Sequence, residues 1–172
     1  MKSFISTLLF IAIACSILIA QTTTSVENPV AAPLTNLYGA GVSYNQSGTP
    51  GIAGSALYAH LVNDGSGTYA FSVIDLLPNN SKPFTVSTNI GAGIAQKVVT
   101  IANVPIFVPT AAGIGITGSN TGWSWSTGAL AVIPVKNHPN WKIMPNVRVV
   151  KSSVSGGTAY QPIVGMQFGW GK

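Results

Sequence analysis

The chain has 172 residues, room for one ordinary domain, and only 6% of them are charged, against about 25% in typical soluble domains. Eight Lys and Arg against three acids give a formal net charge of +5. The cations are scattered rather than gathered into a stripe, which argues against a nucleic-acid partner. Glycine is abundant, and beyond the N-terminus no apolar run reaches the roughly 18 residues that a spanning helix needs.

Residues 1–20 read as a cleaved signal peptide. Lys2 supplies the positive start, and Phe4 to Ala20 (FISTLLFIAIACSILIA) forms an apolar run ending in a small residue. Cys15 is the only cysteine, so the mature chain is expected to lack disulfide and thiol chemistry. Residues 21–35 (QTTTSVENPVAAPLT) are small, polar and proline-containing, a flexible lead-in. Residues 36–172 form the remaining domain.

From residue 36 onward strand and turn signals alternate to the end. Strands are expected at about 36–45, 52–62, 67–77, 84–97, 106–118, 123–135, 141–151 and 160–171. Turn clusters separate them at 45–51 (NQSGTPG), 63–67 (NDGSG), 78–83 (PNNSKP), 118–122 (GSNTG), 136–140 (KNHPN) and 152–158 (SSVSGGT), with one more break near Ala102 to Pro105. Most of these strands are longer than the usual globular five or six residues. They match the roughly 9–11 residues of a tilted spanning strand.

The strands have two unlike faces. Tyr38, Ala40, Val42 and Tyr44 oppose Gly39, Gly41, Ser43 and Asn45. Trp141, Ile143, Pro145, Val147 and Val149 oppose Lys142, Asn146 and Arg148. In the last strand Tyr160, Pro162, Val164, Met166, Phe168 and Trp170 oppose residues that are mostly glycine or amide. Were the apolar face a soluble core, the outside would be glycine, Ser, Thr and Asn, short of the edge charges that keep sheets apart. Inverted, the pattern is consistent: large apolar residues meet lipid, small ones line a narrow barrel, and closure satisfies the backbone. Tyr38, Tyr44, Trp123, Trp125, Trp141, Tyr160, Phe168 and Trp170 are then candidates for aromatic girdles. Lys142, Asn146 and Arg148 point into the lumen. Asp75, the one carboxylate within a strand, is a candidate partner of Arg148; the alternative is that these inward side chains reach water at the mouth of the barrel. The second and third strands are less regular, and a bulge is expected in them. Residues 97–105 (KVVTIANVP) either extend their two strands or fold into the lumen.

On these residues the chain resembles the small eight-stranded outer-membrane β-barrels of Gram-negative bacteria, of the OmpA/OmpX type. The most specific match is terminal: Gly165-Met-Gln-Phe168-Gly-Trp170 is similar to the family's Gly-x-x-aromatic-x-aromatic ending. It departs in continuing through Gly171 and Lys172, and in having Ile163 where the family usually has a polar residue. The resemblance implies an all-β, antiparallel, up-and-down transmembrane barrel in the outer membrane. Its partners would be outer-membrane lipids and the outer-membrane assembly machinery, with no cofactor and a monomeric state.

No catalytic motif stands out. Gly113, Gly115 and Gly118 fit G-x-G-x-x-G, but a turn and a Trp-Ser strand follow instead of a helix, and no carboxylate lies beyond Asp75. His60 and His138 are the only histidines and lack metal-ligand spacing. The expected function is a structural or minor permeability role without catalysis. One alternative is a secreted soluble barrel or sandwich that binds an apolar ligand, with Trp141 and Ile114 inside. Another is a lipid-modifying enzyme in which His60 works with Asp64 or Asp75 and a serine.

Overall fold

A computed structural model describes residues 34–45, 51–79, 85–154 and 157–172. The expected signal peptide and lead-in lie outside these, apart from Leu34 and Thr35, as do the tips of three expected turns. The described chain is almost entirely strand: β1 (Asn36–Asn45), β2 (Gly51–Asn63), β3 (Thr68–Asn79), β4 (Thr85–Ile101), β5 (Val104–Thr117), β6 (Asn120–Ala131), β7 (Ile133–Val135), β8 (His138–Val154) and β9 (Gly157–Gly171). Every pairing is antiparallel. The order β6-β5-β4-β3-β2-β1-β9-β8-β7 closes through an additional β6–β8 ladder. β6 and β7 are two segments of one wall strand, interrupted at Val132. The fold is an eight-stranded up-and-down barrel.

The register fixes its dimensions. One row of partners runs Trp141, Trp170, Tyr38, Tyr58, Ser72, Ala92, Ala112, Trp125 and returns to β8 at Lys151, ten residues beyond its start. A stagger of ten over eight strands, with ordinary strand spacings, gives a tilt of about 40° and a radius of ~8 Å. So narrow a barrel bends its strands tightly. A Cβ on Gly113 would lie 1.9 Å from the Ile90 carbonyl oxygen, and one on Gly93 equally close to that of Thr110. Only glycine fits there.

Alternation along the strands sorts inside from outside. Contrary to the bulge expected in the second and third strands, their alternation runs unbroken through both. Ala53, Ser55 and Ala59 face in with Phe71, Val73 and Asp75, while Tyr58 and Ile74 face out. The one register shift there falls at the end of β2, between Leu61 and Asn63. Residues 97–105 extend their strands into a hairpin whose tip, Ala102 and Asn103, has φ of 47° and 64°. Both central residues being left-handed is the turn that matches strand twist.

The lumen is not simply the small-residue channel that the glycines suggested. At the end that carries both termini, Leu37, Tyr69, Phe71, Phe107, Leu130 and Met144 form an apolar plug. At the far end Ala53, Leu77, Val150 and Ile163 form a smaller one. Tyr69 and Phe107 meet edge to face, with ring centres 5.5 Å apart. Gly39 and Gly169 make room for Met144, whose Cε lies 2.5 Å from where either Cβ would be.

Candidate functional site

Between the two plugs the lumen is polar. Asp75 on β3 and Arg148 on β8 face each other from diametrically opposite strands of the ring. Arg148 donates through two guanidinium nitrogens to the two carboxylate oxygens, at 2.5 and 3.2 Å. The residues are 2% and 4% exposed, so this ion pair is removed from water and depends on its two-pronged geometry. Gln167 donates to the Ser55 hydroxyl at 2.6 Å in the same layer. Asn89 and Asn146 are also buried; neither end of the Asn89 amide meets a protein partner. Asn146 donates to the Met144 carbonyl. Lys142, on the same face of β8, lies at the mouth nearest the termini and bonds the Pro139 carbonyl.

The outer wall is the opposite surface. Ile52, Val42, Ile94 and Ile114 are each half or more exposed, as are Trp141, Tyr160 and Phe168. Trp141 and Ile114 thus stand outside, where the soluble alternative would bury them. The aromatics gather toward the two ends. Near the termini Trp141, Trp170, Tyr38 and Tyr58 occupy four successive strands of one row. The Tyr38 ring lies 5.0 Å from Tyr58 and 6.0 Å from Trp170. Toward the far end lie Tyr44, Trp123, Trp125 and Tyr160. Lys151 on β8 holds its ammonium 5.2 Å from the Trp123 ring of β6 and 5.0 Å from the Tyr160 ring of β9.

Trp141 and Lys151 mark the band's two edges on β8. Ten residues at ~3.3 Å each, tilted about 40°, span about 25 Å along the axis. That is the height of the apolar band on outer-membrane-type barrels. A continuous apolar surface of this size would be a liability in water. Closure leaves no open sheet edge, as lipid requires. The barrel is a transmembrane one.

The residues considered for catalysis are not brought together. His60 faces outward at the rim, where its Nδ1 and the Tyr58 hydroxyl share Asn36 Oδ1, each at 2.9 Å. Asp75 is inside, tied to Arg148. Among the described residues no group of three His, Cys, Asp or Glu side chains converges on a metal-sized site. Gly113 and Gly115 lie within β5 and Gly118 in the turn after it, with β6 following. What sequence reasoning missed was the pair of apolar plugs. The inward parity of Tyr69, Phe71 and Val73 was their signal, visible once Asp75 is taken to share it.

In fold the chain is similar to the crystal structure of Ail, the attachment invasion locus protein of Yersinia pestis, at 12% identity and a TM-score of 0.48, over 78% of this chain and 96% of that one. It is similar to a de novo designed transmembrane β-barrel at 18% identity and a TM-score of 0.47, over 81% and 97% of the two chains. The structure of Ail in a phospholipid bilayer nanodisc gives 13% identity and a TM-score of 0.47, over 80% and 99%. No family model and no curated protein matches the sequence.

Proposed function

We propose that the protein is an integral component of an outer membrane, delivered by its N-terminal segment and inserted by the outer-membrane assembly machinery as a monomer. It acts there as a sealed wall element rather than as a pore or an enzyme. The observation that carries this reading is the combination of a 25 Å-scale apolar band outside with a lumen packed at both ends. A bidentate ion pair crosses the middle of that lumen. Of the structural and minor permeability roles expected from the sequence, this favours the structural one. A solute would have to displace Phe71, Phe107 and Met144 at one end and Leu77 and Ile163 at the other, all of them carried by wall strands.

The test is to express the full chain in a Gram-negative host and compare boiled and unboiled membrane fractions by electrophoresis in SDS. A closed membrane barrel shifts on heating. The purified barrel in planar bilayers is then expected to give no steady ionic conductance. A soluble product without a heat shift would contradict the membrane assignment, and stable unitary conductance would contradict the sealed lumen.

A further inference from the structure

Among the Lys and Arg residues of the described strands, Lys151 alone takes the lipid-facing parity. On β8 it shares the side of Trp141 and Val149, while Lys142 and Arg148 point the other way. Lys97 on β4 shares the inward parity of Ala95. Lys151 is partly exposed. The rings of Trp123 and Tyr160, residues 49% and 56% exposed, stand 5.2 and 5.0 Å from its ammonium. A lysine on a bare wall sweeps a wide arc on its flexible stem. This one is held in place at the edge of the apolar band by two ring faces. The rings attract the charge but take none of its three protons. Among the described residues no carboxylate or other acceptor takes them either.

The surroundings of Lys151 change along the barrel axis. Toward the termini lie Val149 and Pro162, partners across β8 and β9, beside Trp125, the partner of Lys151 on β6. Away from the termini come Ser153 and Thr158, again partners across β8 and β9, and neither is buried. The sequence is apolar wall, ammonium between two rings, then hydroxyls. A lipid at a membrane interface presents acyl chain, phosphate and headgroup in the same order. The charge at this end is also one-sided. Asp75 is tied to Arg148 in the lumen, and Asp64 lies in the β2–β3 turn, at the end that carries the termini. No other acidic side chain lies among the described residues.

We propose that Lys151, flanked by Trp123 and Tyr160, binds the phosphate of one anionic lipid from the leaflet at that end. An acyl chain lies along Val149 and Pro162, and the headgroup rests against Ser153 and Thr158. The inference rests on the membrane reading above and adds a defined lipid contact to it. The free protons of the ammonium meet phosphate oxygens, and the two hydroxyls offer further donors. A zwitterionic lipid carries the same phosphate but brings its own cation to a site that already holds one. An anionic headgroup brings none, so the site discriminates between them.

The experiment uses the full chain with Trp125, Trp141 and Trp170 changed to Phe, leaving Trp123 as the reporter beside Lys151. The protein is reconstituted in phosphatidylcholine vesicles containing a few mole per cent of either brominated phosphatidylglycerol or brominated phosphatidylcholine. Quenching of Trp123 by the anionic lipid is expected to be about fivefold more effective, the bias that one cation near a membrane surface provides. Lys151→Met should remove that bias, and Lys151→Arg should keep it. Each variant is compared with itself in the two lipids, so a change in the reporter's own brightness cancels. If Lys151→Met fails to insert, as judged by loss of the heat shift, Lys151→Gln carries the comparison. Equal quenching of the parent by the two lipids would overturn the site while leaving the membrane reading intact, and so would a bias that survives loss of the charge. No quenching by either lipid would overturn the membrane reading itself and the site with it.

Discussion

The middle of the lumen and its ends solve the same problem by different chemistry. Both must fill a space of ~8 Å radius, in which eight strands leave room only for side chains. The end near the termini fills it as a soluble core does, with Tyr69, Phe71, Phe107, Leu130 and Met144 packed together. The middle fills it with Asp75, Arg148, Asn89, Asn146 and Gln167, all nearly inaccessible. The plug gains from every apolar contact. The polar layer gains only where partners match in geometry, and each mismatch is a cost. A cavity of about 10 Å3 beside Asp75 and Asn89 has room for about one water. The comparison teaches that the plugs hold the barrel together by contact area alone, whereas the polar layer depends on one matched pair tying two opposite strands.

The largest expected effect follows from breaking that pair on one side. Arg148→Met leaves the Asp75 carboxylate buried and alone and should cost about 3–5 kcal/mol. The urea midpoint of the barrel refolded into vesicles would report it. Asp75→Leu combined with Arg148→Met should recover most of the loss, because two apolar side chains need no partner. A double variant no better than the single one would mean that the polar layer is held by something other than this pair. In the plug, Met144→Ala should cost about 2–5 kcal/mol, since the side chain is wholly buried over Gly39 and Gly169. No conservative partner should rescue it. A comparable loss, at or beyond the top of the ~1–3 kcal/mol usual for overpacking, is expected for Gly113→Ala, whose Cβ would meet the Ile90 carbonyl and the Gly91 backbone rather than a side chain that can move. The smallest effect is a gain. Ala102 holds a left-handed φ of 47° in the β4–β5 turn, so Ala102→Gly should stabilise by about 0.5–1 kcal/mol, seen as a slightly higher heat-shift temperature.

Much of the architecture was legible in the alternation of residue types. Tyr160 to Trp170 divide by parity into a lipid side and a lumen side, and the same rule places Trp141 outside and Arg148 inside. Asp75 stood out as a possible partner for Arg148 because it is the only carboxylate within a strand, but the sequence did not decide between that pair and side chains reaching water at the mouth; the structure shows the pair. What stayed hidden has physical reasons. In the third strand Asp75 shares the parity of Tyr69, Phe71 and Val73, so the sequence left that face undecided, because large apolar residues dominate the lipid side elsewhere. Nothing in a single strand says that a narrow lumen also needs bulk at its ends. The break at Val132 leaves the register with β8 unchanged, Leu130 opposite Asn146 before it and Ile133 opposite Ile143 after it, so no change of pattern in the sequence marks it.

The central claim is that Ile114 and its neighbours on the outer wall face lipid. The most direct measurement places a spin label there. Cys15 is the chain's only cysteine and lies within the expected signal peptide, so Ile114→Cys and Val150→Cys each give a single attachment site in the processed protein. Collisions with molecular oxygen report lipid, and collisions with a water-soluble nickel chelate report solvent. The label at position 114 is expected to be accessible to oxygen and shielded from nickel, and the label at position 150 shielded from both. Strong nickel accessibility at position 114 in the membrane-reconstituted protein would contradict the account.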